Sequence, residues 1–509
     1  MSPNRSPVIA LIWKEWHEMR DRVVLMVTLA VISSLLTVLS FKNDWGDMLF
    51  GLQGLIAAGG GVLFGLRVAA GERGQRTEAM LRGLPFRRSF VATVRLAAGL
   101  VGPVLLAFAA VLSAFAAAAM LGRPSGHNLE GITAISEGIA GLLLLGAPIY
   151  LWTVAAGRSA GSESTALLRV VLLGLGLVTL LVVVVAVIEY AFDNFSHPRD
   201  RVYWVFTLLG GGSPLGPFIS FMSRHEAHRD GFLLPLGTGA AVSVVALCAW
   251  CVARMHATPS PVRKRVVSRA APRPLGPPLT RRWVSLLGLN LGAPLASAGA
   301  VLVLLLLLLA LGANGLWNGS YPANTNVRLG THVSLWLWAA LIHAGLLAVL
   351  LFGRETDGQQ PWFWRSRPIA VSRWFAVRAT TGVVLLVAVH LTPALLDLML
   401  GFTFGALVWP AVWVIPLAAV ACFSVVVVAT AWSRRAVVIL SAAMFFVLML
   451  LVLPDMGDVW AWLPDWNPFT LACGRGWKNG GYPWFVGLCL LLTTTCLLLA
   501  DSSFRRRVA

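Results

Sequence analysis

The sequence predicts an all-α polytopic membrane protein of about twelve transmembrane helices, laid out as two parallel six-helix repeats. Three observations carry that expectation. Hydrophobic residues make up 58% of the 509 and charged residues only 12%, with a mean hydropathy of +0.78, whereas a soluble domain carries about 25% charge. Apolar runs long enough to cross a bilayer recur along the whole chain. One polar, arginine-rich stretch occurs twice at a constant offset.

The spans fall near 23–41, 49–70, 96–121, 138–157, 166–189, 231–253, 284–312, 331–352, 374–400, 403–430, 435–453 and 483–500. An even number places both termini on one side. Of the 40 Lys and Arg residues, 31 lie on that side and 9 on the other. Basic loops resist translocation, so the N- and C-termini are expected in the cytoplasm. The net charge of +18 then reflects topology and contact with anionic lipid rather than nucleic-acid binding. No cleavable leader is expected, since 22 mostly polar residues precede the first span.

The first element, residues 1–22, reads as a cytoplasmic amphipathic helix on the inner leaflet. Ile9, Ile12, Trp13, Trp16 and Met19 recur at helical spacing, with Lys14, Glu15, Glu18 and Asp21 on the other face. Residues 23–253 form the first six-helix membrane domain. Residues 254–283 hold six prolines and eight basic residues but no acid, so they form a cytoplasmic linker. Residues 284–509 form the second membrane domain.

With an offset of 283, Gly71 to Arg95 align without a gap on residues 354–378. Glu72 falls on Glu355, Pro85 on Pro368, Ser89 on Ser372 and Arg95 on Arg378. Each copy lies between the second and third spans of its half, on the cytoplasmic side. Six spans preserve orientation, so the repeat is parallel, with a pseudo-twofold along the membrane normal. Two outer segments, "GGSPLGPFISF" (211–221) and "LPDWNPFTLA" (463–472), also recur before the last span of each half. They read as short re-entrant or interfacial helices, the alternative being loops that touch the headgroups.

In combination, the surface helix, the six spans and the cytoplasmic E-R-x-x-x-T followed by L-P-x-R-R-S resemble one family. It is the ABC-2 type permease of ATP-binding cassette transporters, here with two membrane domains fused. The motif is carried by Glu72, Arg73, Thr77, Leu84, Pro85, Arg87, Arg88 and Ser89. The second copy is degenerate: Arg354 and Glu355 stand in reversed order, and no Thr matches Thr77. The resemblance implies that these stretches, with Pro368 and Ser372 in the second, are coupling helices that dock on ATPase subunits. Glu72 would then meet the positive end of a helix dipole. The competing reading makes the arginines simple topology signals.

The chain has no G-x-x-x-x-G-K-[ST] phosphate loop, so it is not expected to be an enzyme or to hold a cofactor. ATP and Mg would belong to separate cytoplasmic ATPase subunits, two per transporter as the resemblance implies. Export is expected rather than import, across a bacterial cytoplasmic membrane, of a substrate the sequence does not identify. His343, His390 and Asp397 lie inside spans and are candidates for a substrate path or proton relay. His225 and His228 beside Glu226 lack a third metal ligand by spacing, and the C-x-x-C of Cys248 and Cys251 has no second pair, so no metal is expected. Two rival functions remain at this point: a membrane-embedded enzyme such as a lipid-linked glycosyl transferase, and a non-enzymatic scaffold.

Overall fold

The computed structural model describes residues 7–40, 45–75, 88–120, 131–158, 233–256, 292–306, 325–353, 370–400, 408–432 and 481–508, with scattered positions between 160 and 176 and at 217, 468 and 471. All the elements among them are helical. The first half contributes α1 (Pro7–Ser40), α2 (Trp45–Gln75), α3 (Arg88–Met120), α4 (Gly131–Gly157) and α5 (Leu233–His256). The second contributes α6 (Gly292–Leu306), α7 (Thr325–Ala348), α8 (Val371–Leu400), α9 (Val408–Trp432) and α10 (Gly481–Val508). One π-helical turn, Val349–Gly353, extends α7. Six of the described helices contain a stretch long and apolar enough to cross a membrane, three in each half. The expected span at 435–453 lies outside the described residues, and that at 166–189 is described only as far as Gly176.

The exposed sides of these helices are compatible with a multi-pass membrane protein. Along α3, Val101, Val104, Leu105, Phe108 and Leu112 form an exposed apolar stripe at helical spacing. In water such a stripe would be an aggregation surface; in lipid it is solvated. By contrast, 78% of the apolar window of α2 and 72% of that of α9 are buried, but only 17% of that of α10. Thus α2 and α9 form the centres of their halves, and α10 lies at the rim.

The neighbours are ordered alike in both halves. In the first, α2 packs on α4 and α3, and α4 packs on α5. In the second, α7 packs on α9 and α8, and α9 packs on α10. Glycines set the closest approach. A Cβ on Gly99 of α3 would lie 2.2 Å from Tyr150 Oη of α4, and one on Gly382 of α8 would lie 2.3 Å from Phe423 Cζ of α9. Gly99 and Gly382 are again 283 residues apart.

The amphipathic segment drawn to residue 22 does not end there. α1 is one unbroken helix of 34 residues, about 50 Å long at 1.5 Å per residue. Neither Gly nor Pro interrupts it after Pro7. Its first turns expose Ile9, Ile12, Trp13 and Trp16, while Leu11, Glu15, Met19 and Arg22 are buried. Met19 therefore faces the protein rather than sharing the tryptophan side. Glu15 and Glu18 are held inward by the arginines described below, while Asp21 stays exposed beside Arg20.

Candidate functional site

The described members of the expected coupling set lie at helix ends. Glu72 and Arg73 lie in the last turn of α2, because "AAGERGQ" carries the helix beyond the apolar span. The helix start that Glu72 is expected to meet lies outside the described residues. Arg88 opens α3, and Ser372 lies half-buried in the first turn of α8. Thr77, Leu84, Pro85 and Arg87 lie outside the described residues, as do Arg354, Glu355 and Pro368. His225, Glu226 and His228 also fall outside them, and of the two outer segments only Pro217, Pro468 and Leu471 are described, each helical and buried.

What flanks the first of these loops is a buried ion network that the sequence reading did not assemble. Three carboxylates, Glu15, Glu18 and Glu163, lie among Lys14, Arg22, Arg67 and Arg95. Arg22 donates to Glu163 Oε1 at 2.8 Å and to the Leu63 carbonyl at 2.9 Å. Arg67 pairs with Glu18 and stands 4.0 Å from Glu163. Arg95 Nε lies 3.6 Å from Glu15, and Lys14 bridges Glu15 and Glu18 at 3.4 and 3.5 Å. The network joins α1, α2, α3 and the segment after α4. Arg67 and Arg95 sit at the edges of apolar runs, which was the available signal; their partners are far away in sequence.

Glu18 lies on the part of α1 that precedes the first span. Burial alone would raise its carboxyl pKa, but the charges of Arg67 and Lys14 and their hydrogen bonds prevail and hold it below the ordinary 4.5. A depressed carboxylate adds stability that is complete above its unfolded pKa and is lost as pH falls through the folded value. The thermal midpoint of the purified protein should therefore drop as pH is lowered beneath 4.5, and Glu18→Gln should flatten that drop. Identical pH profiles for the two proteins would refute the assignment.

Arg95 also donates to the Val68 carbonyl at 3.4 Å, tying the start of α3 to the end of α2. In the second half Arg378 donates to the Leu351 carbonyl, tying the start of α8 to the π-turn after α7. Donor and acceptor are both shifted by 283 residues. The surroundings differ. Where the first clamp has Arg67, the second has Leu350, and Arg378 lies over the Trp374 ring with its guanidinium carbon 4.6 Å from the centroid. Phe352, Trp374, Phe375 and Phe504 cluster there with centroids 5.5–5.8 Å apart.

No family model matches the sequence, and no curated protein does.

The second place of interest lies inside the bundle. His343 of α7 and His390 of α8, both fully buried, come together with His343 Nδ1 3.3 Å from His390 Nε2. The rings are tilted by 58° with centroids 5.4 Å apart. Among the described residues, His343 Nε2 and His390 Nδ1 have no hydrogen-bond partner. Asp397 lies in the last turns of α8, seven residues beyond His390, and nothing among the described contacts joins it to the pair. The sequence placed the two histidines in spans; the fold places them against each other.

Proposed function

We propose that this chain is the membrane permease of an ATP-binding cassette transporter, with twelve spans in two parallel halves and both termini in the cytoplasm of a bacterium. Separate ATPase subunits grip the stretches 72–89 and 354–372, and their closure on ATP moves the halves to expel an apolar or amphipathic substrate. The observation that carries this reading is the matched clamp. A loop can act as a lever only if its base is rigid, and each of these loops leaves from a helix pair joined by an arginine-to-carbonyl hydrogen bond, at residues 283 apart. The like order of helix neighbours and the matched glycine contacts at Gly99 and Gly382 support the same duplication. The ATPase subunits enter through the resemblance of the loop motif.

Co-purification from native membranes tests the reading. An ATPase carrying a phosphate-binding loop should be captured with the chain. Combining Glu72→Ala with Pro85→Gly should lower its transport-linked ATP turnover by roughly tenfold, within the range of an ordinary coupling free energy. Capture of no ATPase, or equal turnover with both proteins, would overturn the proposal.

A further inference from the structure

The histidine pair exists in one half only. At the offset of 283, His343 corresponds to Gly60 and His390 to Ala107, so neither histidine has a polar counterpart in the first half. Burying two imidazoles in an apolar bundle is costly unless every ring nitrogen finds a partner. Here the facing nitrogens satisfy each other, and the outer two, His343 Nε2 and His390 Nδ1, do not. Whichever ring donates across the 3.3 Å contact, a neutral pair presents one N–H and one lone pair outward.

The surroundings define what could fill those positions. α6 and α9 contain no Asp, Glu, Lys or Arg, nor do residues 333–348 of α7 or 379–396 of α8. Leu337, Ala340, Leu341, Ala344 and Leu386, all buried, line the same stretches. A cationic or anionic head would find no counter-charge there among the described residues. A metal ion is disfavoured on the same ground, and no group of three His, Cys, Asp or Glu side chains occurs among the described residues.

We propose that His343 and His390 form an occluded binding site for the neutral hydrogen-bonding head, a hydroxyl or an amide, of an otherwise apolar molecule. The inference deepens the permease reading and rests on it for the identification of that molecule as cargo. Entry requires α7 and α8 to part, and the π-turn Val349–Gly353 stands between His343 and the second loop. A single π-turn in an α-helical run is a recurrent mark of functional positions. The corresponding residues 66–70 of α2 are regular α-helix. Movement of the second loop therefore reaches the pair through a joint that the first half lacks.

Photolabelling of the full chain in lipid nanodiscs tests this. The probes are a long-chain alcohol bearing a diazirine, the matching hydrocarbon, and the matching quaternary ammonium. The alcohol should label α7 and α8 peptides around His343 and His390, the other two should not, and unlabelled alcohol should compete. His343→Leu and His390→Leu should each lower that labelling by about tenfold, as expected when a buried hydrogen bond is lost, whereas His390→Gln should retain much of it. Hydrocarbon labelling of the lipid-facing helices should be the same in all variants, which reports that they are folded. Alcohol labelling that is absent, or unchanged by both leucine variants, would overturn the site. ATPase capture on the same preparations separates the two readings: capture without histidine-dependent labelling removes the site alone, and labelling without capture removes the permease assignment.

Discussion

Arg67→Ala is expected to lower the stability of the first half by about 3–5 kcal/mol, the usual cost of removing one partner from a buried ion pair. Arg67 is buried, pairs with Glu18 and faces Glu163, so its removal leaves Glu18 to Lys14 and Glu163 to Arg22, one cation fewer for each half-buried carboxylate. Most of the cost lies in those under-compensated charges rather than in the lost contact. Adding Glu18→Gln should therefore recover part of the stability, and the double-mutant cycle should show strong coupling. Leu350→Ala, at the corresponding position of the second half, should show no coupling to any carboxylate. The apparent midpoint of thermal unfolding in detergent is the readout. A midpoint unchanged by Arg67→Ala would mean that the network contributes nothing.

The second large effect is expected at Gly382→Val. A Cβ there would lie 2.3 Å from Phe423 Cζ and 3.0 Å from Leu351 Cδ1, and Phe423 is fully buried. α8 must then move away from α9, at a cost of about 1–3 kcal/mol for an overpacked core and more if the ring has nowhere to turn. Gly382 is one turn from Arg378, so the shift also loosens the bond to the Leu351 carbonyl at the base of the second loop. Gly382→Val should thus lower the melting midpoint and, under the proposed permease function, impair ATP-driven transport together. Phe423→Leu in the same chain should restore the midpoint, because it removes the atoms that clash. A stable, fully active Gly382→Val protein would show that the two helices are not in close contact here.

The helices were legible because hydropathy is a property of a run of residues, and the matched arginines because the two stretches align without a gap. The ion network was not legible. Its pairs join residues 49 and 141 positions apart, and which helix face meets which depends on the rotation of each helix about its axis. The same holds for His343 and His390, 47 positions apart: their presence in spans was readable, but their contact was not. α2 runs on to Gln75, past the apolar span expected to end at residue 70, because no proline stops it there. Sequence pattern marks where an apolar run ends more surely than where its helix ends.

The unbroken α1 carries a restriction on how this chain can change. Each residue of an α-helix turns the axis by about 100° and advances it 1.5 Å. Inserting or deleting a single residue between Arg22 and the middle of the span would swing Glu15 and Glu18 away from Arg95 and Arg67, although every side chain was retained. Connecting segments elsewhere can lengthen or shorten with little consequence for packing, whereas here the count of residues itself is fixed, because angular phase holds the carboxylates in register with their guanidinium partners.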